Sequence, residues 1–373
     1  MNGRRVPFVN LQPNEDGAAV RAAIDRVLAR GWFILGPEVA AFETEFAAAC
    51  GAPHAVGVGT GTDALALILR SLGIGPGDEV ITSPLSAAFT ALAIMMVGAR
   101  PVFADIDATR LTLQPAAAAA AVSSRTAALL PVHLYGQAAD MGAFVQIAQR
   151  HGLALIEDCC QSHLATSAGK PVGTFGAAGA FSFYPTKNLG ALCDAGAVVT
   201  LDAALADRVR RLRNGGQITR SAHAEAGVNS RLDELQAAIL RARLPFLRAW
   251  TARRHALAAI YRTGLADAPV VVPPELDPGH VYHVFPVRSS ERAALQAHLA
   301  AQGIDTLIHY PVPIPRQPAL ASAEPADCPI ANQVCEEILS LPLYPSLTND
   351  DVSGIAAAVC NFPARRGAGV GQQ

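Results

Sequence analysis

Through its first two thirds the chain alternates short, continuous apolar runs with longer stretches of helical periodicity, and this alternation restricts the fold more than any other feature. "AVGVG" leads into "TDALALILRSLG", where Leu65, Ile68, Leu69 and Leu72 recur at helical spacing. "EVITSP" leads into "SAAFTALAIMMVG", then "RPVFADI" follows, and "TAALLPVHLYG" precedes the helical "MGAFVQIAQRHG". "LALIEDCC", "AAGAFSFYP" and "GAVVTL" are three further runs. Strands that are apolar along their whole length are covered on both faces, as in parallel sheets with crossover helices. The predicted class is therefore α/β, a mostly parallel central sheet flanked by helices.

From "NSRLDELQAAILRARLPFLRAWTARRHALAAIYRTG" onward the pattern is long and helical. Leu232, Leu235, Ala238 and Ile239 share a face, and Pro245 is expected to bend the helix. Beyond about residue 250 the texture becomes α+β. "VYHVFPVR" reads as a strand, "ERAALQAHLAAQG" as a helix closed by glycine, and "HYPVPIPRQP" as a rigid proline-rich loop. A boundary near residue 245 follows. Residues 1–245 form a large α/β domain whose N-terminal segment is expected to pack on the small one, and residues 246–373 form a smaller α+β domain. The tail "RRGAGVGQQ", after about residue 364, reads as disordered, and the poly-alanine piece at 116–121 as a helix.

With 51% hydrophobic and 16% charged residues, the chain has the composition of a heavily buried globule. A net charge of -2 gives no reason to expect nucleic acid or an anionic membrane as partner. No apolar run reaches the length of a membrane span, and "MNGRRVPFVN" lacks the apolar core of a signal peptide. Seven cysteines without a C-x-x-C pair read as reduced thiols, so a cytoplasmic protein is expected, with Cys159 and Cys160 as packing residues.

In "GAFSFYPTKNLGA" a lone lysine, Lys187, follows a buried-looking strand. A lysine at a strand end either snorkels to water or reacts. "LALIED" ends another predicted parallel strand on Asp158, and ligand sites in open α/β sheets lie at the carboxyl ends of strands. Lys187 and Asp158 can therefore meet at one sheet edge. "GVGTGTDALAL" supplies either a plain tight turn or a helix N-terminus that meets a phosphate through the amides of Thr60 to Asp63 and the hydroxyls of Thr60 and Thr62. It is not a full dinucleotide fingerprint, because Thr62 stands where the third glycine belongs. A phosphate cradle, a buried carboxylate and a strand-end lysine together suit pyridoxal 5′-phosphate. The lysine forms the Schiff base and shuttles the proton, and the aspartate keeps the pyridine nitrogen protonated.

The chain resembles the DegT/DnrJ/EryC1/StrS sugar aminotransferases, a branch of the fold-type-I enzymes that use this cofactor. The resemblance runs through "GWFILGPEVAAFETEFAAACGAPHAVGVGTGTDAL", "PVHLYGQAADM", "LIEDCCQSH", "FSFYPTKNLGA" and "NSRLDELQAAIL" to "LPLYPSLTNDD". It implies Lys187 as the Schiff-base lysine and Asp158 as the pyridine-nitrogen aspartate. It implies Gln161 beside the ring and its 3′-hydroxyl, Gly61 and Thr62 in the phosphate turn, and Ser182 on the same phosphate. Ser182 could equally be a satisfied strand hydroxyl. Asn229 resembles an asparagine lent to the phosphate by a second subunit, which implies a homodimer with composite sites, and its alternative role is a helix N-cap. The family's ring over the cofactor falls at Ala87, with Phe89 two residues on. "CDAGA" follows the lysine where two glycines are usual, so Cys193 and Ala195 restrict that turn to negative φ, and Pro315 stands where histidine is common. His163 either touches substrate or packs, and Tyr184, His309 and Tyr310 are the further substrate candidates.

By this resemblance the chain takes nitrogen from an amino acid, glutamate, through pyridoxamine 5′-phosphate, and passes it to a nucleotide-linked keto sugar. The preferred acceptor is a dTDP- or UDP-linked 3-keto-6-deoxyhexose, in amino-sugar biosynthesis. The alternatives are a 4-aminotransferase and a non-catalytic regulatory or sensor relative that binds the cofactor without turnover. Pyridoxamine-dependent dehydratase relatives carry histidine in place of the lysine, and Lys187 argues against that reading.

Overall fold

The structure, a computed structural model, describes residues 5–12, 14–320 and 327–364. The expected disordered tail lies outside the described residues, apart from its approach to Ala364. Helices α1 (Gly17–Arg30) and α2 (Pro37–Ala49) precede a sheet built from β1 (His54–Val58), β2 (Glu79–Thr82), β3 (Arg100–Phe103), β4 (Thr126–Leu130) and β5 (Ala154–Asp158). Between these strands run α3 (Gly61–Ser71), α4 (Phe89–Met96), α5 (Pro115–Ala120) and α6 (Met141–His151). A small hairpin, β6 (Thr166–Ser167) and β7 (Lys170–Pro171), separates β5 from the last two sheet strands, β8 (Ala178–Ser182) and β9 (Gly196–Thr200).

The seven strands lie in the order β1-β9-β8-β5-β4-β2-β3. Neighbours from β3 to β8 are parallel, and β9 runs antiparallel to both β8 and β1. That one reversal decides where the chemistry sits. Ser182 at the end of β8 pairs with Gly196 at the start of β9, and Gly196 pairs with Val58 at the end of β1. The exits of β5, β8 and β1 thus share one edge, so Asp158, the Lys187 turn and the α3 N-terminus converge there. The sequence pattern could not reveal the reversal, because "GAVVTL" is as uniformly apolar as its parallel neighbours.

Helix α3 explains why "ALALIL" carries no polar face. Ala64, Leu65, Leu67, Ile68 and Leu69 are all buried, because α3 is covered by the sheet on one side and by α4 and α7 (Ala203–Leu212) on others. Each fully buried leucine or isoleucine contributes roughly 1.5–3 kcal/mol.

After a hairpin of β10 (Gln217–Thr219) and β11 (Ala222–His223), the long helical tract appears as α8 (Glu234–Arg243), a 3-10 turn Leu244–Phe246, and α9 (Leu247–Gly264). Pro245 makes the break, having no N–H to donate. Helix α8 packs on α1 and α2. Its first residue, Glu234, is fully buried and accepts hydrogen bonds from the amides of Gly36 (2.9 Å), Glu38 (3.0 Å) and Val39 (2.8 Å) at the N-terminus of α2. A carboxylate there answers both the unpaired amides and the positive end of the helix dipole.

The C-terminal elements are a two-stranded antiparallel pair, β12 (Phe285–Arg288) and β13 (Ile338–Leu341), with α10 (Arg292–Ala301), α11 (Pro329–Glu337) and α12 (Asn349–Cys360). "VYHVFPVR" is a strand only in its second half. The amides of Val281 and His283 are bonded to the carbonyls of Gly136 and Tyr135 instead, which ties this segment to the turn after β4. The N-terminal segment joins the same region, with Val6 bonded to Gly303 and Asp305 through backbone. All seven cysteines are free thiols.

Candidate active site

Asp158 ends β5 with 4% of its surface exposed. Its Oδ2 accepts a hydrogen bond from Thr90 Oγ1 at 2.8 Å, and its Oδ1 accepts one from the Cys160 amide at 3.1 Å. Both donors are neutral, so the carboxylate is oriented without being neutralised. A buried carboxylate held only by neutral hydrogen-bond donors is a costly arrangement that a cationic ligand atom relieves.

Lys187 stands in the turn that leaves β8, closed by its own amide on the Tyr184 carbonyl (2.8 Å) and by the Ala191 amide on the Phe183 carbonyl (2.7 Å). Loss of water holds its ammonium below the usual lysine range, and the Cys160 thiol and Asp158 oppose that shift. Burial therefore enlarges the free-amine fraction, which is the form that attacks a carbonyl. Two histidines around it are held neutral. Burial, and then the charge of Lys187, lowers His309 to about 4 and takes His283 well below the ordinary range.

The helix N-terminus is organised by Thr60, whose Oγ1 caps the Asp63 amide at 3.0 Å. The Gly59 amide goes to Ser230 Oγ (2.9 Å), which in turn donates to Asp63 Oδ2 (2.8 Å). The amides of Gly61 and Thr62 are left in the first turn, where helical geometry gives them no carbonyl. A Cβ at Gly61 would lie 2.8 Å from both Cys160 Sγ and Ser182 Cβ, so only glycine lets the helix come this close to the end of β8.

Gln161 is held at both ends. Its Oε1 accepts from the Tyr135 amide at 2.8 Å, and its Nε2 donates to Tyr310 Oη at 3.0 Å. Tyr135 lies at φ 60, a strained position for a residue with a side chain, followed by Gly136 at φ 96. That turn aims the Tyr135 amide at Gln161, while its hydroxyl donates to the His309 carbonyl. Burial and the Asp158 charge push the Tyr310 phenol up to about 12.

The remaining expected residues lie at several depths. Ser182 Oγ accepts from the Tyr184 amide at 3.3 Å and its carbonyl meets His163 Nε2 at 2.8 Å. His163 is fully buried against the rings of Phe181 and Phe183, lowered to about 3 by burial. His309 Nδ1 meets Ser340 Oγ at 3.0 Å. Phe89, the first residue of α4, is 62% exposed, and Tyr184 and Asn229 are also exposed, while Ala87 is partly buried. Asn229 caps no helix, since Asp233 is the N-cap of α8. Neither Cys193 nor Ala195 adopts a positive φ. Pro315 is buried in a 3-10 turn. Thr90, Tyr135 and Ser230 enter the site without having stood out in the sequence, and Cys160, read there as a packing residue, meets Asp158 through its amide.

A mostly parallel α/β sheet that brings a lysine, a buried aspartate and a helix N-terminus to one edge defines the architecture of a pyridoxal-phosphate enzyme. The chain belongs to the DegT/DnrJ/EryC1/StrS aminotransferase family, whose model matches residues 14–360. It is 48% identical over 97% of both chains to the dTDP-3-amino-3,4,6-trideoxy-alpha-D-glucose transaminase of Streptomyces venezuelae. It is also 48% identical, over 95% of this chain and 98% of the other, to the erythromycin biosynthesis sensory transduction protein EryC1 of Saccharopolyspora erythraea. The crystal structure of S. venezuelae DesV in complex with a ketimine intermediate superposes with a TM-score of 0.94, covering 97% of this chain and 99% of that one at 48% identity. The chain is a transaminase of this family, and its cofactor is pyridoxal 5′-phosphate.

Proposed function

We propose that the chain moves an amino group from glutamate to the ketone of a dTDP- or UDP-linked 3-keto-6-deoxyhexose, in amino-sugar biosynthesis. The observation that carries this reading is the convergence of Lys187, Asp158 and the Gly61–Thr62 turn at one sheet edge, in a chain so similar to a named dTDP-sugar transaminase.

The donor set fits pyridoxal phosphate: a carboxylate for the ring nitrogen, open amides at a helix N-terminus for the phosphate, and an amine whose pKa burial lowers. Bound there, the cofactor supplies a carbonyl to receive the amine and a ring that takes up electron density. Lys187 Nζ, whose free-amine fraction burial enlarges, would carry the proton between the substrate carbon and the cofactor's carbonyl-derived carbon in each half of the reaction. Asp158, fixed by Thr90 and Cys160, keeps a negative charge opposite the ring nitrogen. The amides of Gly61 and Thr62 and the hydroxyls of Thr62 and Ser182 hold the phosphate, and Gln161 lies beside the ring. Phe89, two residues beyond Ala87 at the start of α4, would be the side chain to cover the ring.

Asn229 completes the phosphate site of a second subunit, so the protein is a homodimer with composite sites. Its exposure, on a loop anchored through Ser230 to the chain's own phosphate turn, supports that role. Tyr184, His309 and Tyr310 face the sugar nucleotide, and His163 supports Ser182 from behind. Residues 1–245 act as the cofactor-binding domain and 246–373 as the small domain, in a cytoplasmic protein.

The test is turnover of a panel of nucleotide keto sugars with glutamate, the amino position being read by NMR. Amination at C3 is expected. Exclusive amination at C4, or no turnover by a protein that binds the cofactor, overturns the reading.

A further inference from the structure

The residue that follows the reactive lysine is held as firmly as the turn itself. Asn188 is 4% exposed, its Nδ2 donates to the Val281 carbonyl at 2.9 Å, and its Oδ1 lies 3.1 Å from His283 Nδ1. The first bond decides the second. A carbonyl only accepts, so the amide turns its nitrogen to Val281 and its oxygen to the imidazole, and that oxygen also only accepts. His283 therefore carries its proton on Nδ1. Burial, and then the charge of Lys187, keeps the ring neutral, so Nε2 is bare, and among the described residues no group donates to it.

Residues 281–283 are fastened on their other side as well. The Val281 amide donates to the Gly136 carbonyl and the His283 amide to the Tyr135 carbonyl, each at 2.9 Å. A Cβ on Gly136 would lie 2.9 Å from the amide nitrogens of both Tyr282 and His283, so the two backbones are in contact. The Tyr135 amide holds Gln161. One path of bonds thus runs from the lysine turn through Asn188 and residues 281–283 to Gln161. Arg243 and Gln236 hold the far end of the turn, at Gly190 to Cys193, and Asn188 fastens its lysine end.

We propose that Asn188 is a positioning residue for the reaction: it clips the lysine turn to residues 281–283, fixes the Nδ1–H form of His283, and so places Lys187 and Gln161 on one framework. The inference rests on the transaminase reading above. An amine that must serve both substrate and cofactor tolerates little drift, since a misplacement of about 1 Å costs up to roughly a hundredfold in rate. By accepting from Nδ1, the amide also selects one of the two neutral tautomers of the imidazole, which leaves the ring's lone pair on Nε2.

Nitrogen-15 NMR of holoenzyme labelled at histidine reads the tautomer, with His283 assigned by comparison with His283→Gln. The charged and titratable groups around this ring are Lys187, Arg254, His309 and His163. At neutral pH the ring should be uncharged, with its proton on Nδ1. An imidazolium, or a proton on Nε2, overturns the proposal. Asn188→Leu, which fills the space without either bond, should give a mixture of tautomers and slow the single-turnover reaction with glutamate about tenfold or more. Gln161→Ala should slow it by a similar factor. Because both residues act through one framework, the double variant should stay within about twofold of the slower single one. Independent effects would multiply, so a double variant slowed by the product of the two overturns the proposal. If Asn188→Leu does not fold, the same comparison is made with Asn188→Asp, which keeps the shape and the bond to His283 but sets an acceptor against the Val281 carbonyl. An unmodified holoenzyme whose visible absorbance no amino acid alters would instead overturn the transaminase reading itself, and this proposal with it.

Discussion

Replacing Thr90 by valine removes one hydroxyl while keeping the shape of the side chain. That hydroxyl donates to Asp158 Oδ2 at 2.8 Å from the second residue of α4, 68 positions earlier in the chain. Ser86 Oγ lies 3.5 Å from Thr90 Oγ1 and donates nothing to Asp158 directly. Asp158 would keep the Cys160 amide on Oδ1 and the adjoining Cys160 thiol, and lose the Thr90 hydroxyl from Oδ2. A hydrogen bond to a charged group is worth about 1.5–3 kcal/mol. If that stabilisation is expressed while negative charge must stay fixed opposite the ring, the rate falls by roughly ten- to a hundredfold at 1.36 kcal/mol per factor of ten. Single-turnover mixing of the holoenzyme with glutamate, followed by visible absorbance, measures that rate, with cofactor content determined separately. Thr90→Ser restores the donor and should recover most of the loss. A Thr90→Val protein that is fully loaded and reacts within twofold of the unmodified rate would refute this account of Asp158.

Glu234→Gln turns the acceptor facing the Glu38 amide into a donor, because Oε1 already serves Gly36 and Val39. A destabilisation of about 1–3 kcal/mol should appear in urea unfolding. Gly61→Ala places a methyl 2.8 Å from Cys160 Sγ and Ser182 Cβ, so the α3 N-terminus must shift, at roughly 1–3 kcal/mol for overpacking. Cofactor affinity of the apoprotein, measured by fluorescence titration, should drop about tenfold or more. Buried His163 and His280 each have a pKa lowered to about 3, so the unfolded chain binds protons that the native state refuses between there and about 6.5. Their stabilisation is fully present above about pH 6.5 and is lost as pH falls through that window. At pH 5 the loss is roughly 2 kcal/mol each, visible as a falling urea midpoint.

What the sequence made legible is what local pattern determines. The α3 pattern, the break at Pro245, the lysine turn and the strand-end aspartate each depend on a few adjacent residues. Thr90 did not stand out, since a threonine beside Phe89 has no distinguishing neighbour until α4 is laid against β5. Tyr135 is a similar case. Its φ of 60 exists because residues 281–283 and Gln161 bond its backbone from distant parts of the chain. The N-terminal half of "VYHVFPVR" looked like strand for the same reason that it is not: its amides seek partners, and the nearest are carbonyls of that turn.

The chain contains two lysines, Lys170 and Lys187, which makes the central claim unusually direct to check. Lys170 is exposed, with its ammonium over the Phe175 ring at 4.6 Å. Borohydride treatment of the cofactor-loaded protein, followed by proteolysis and mass spectrometry, should place one stable cofactor adduct on the peptide bearing Lys187 and leave Lys170 unmodified. An adduct on Lys170 alone, or none on a protein that holds the cofactor, would contradict the account.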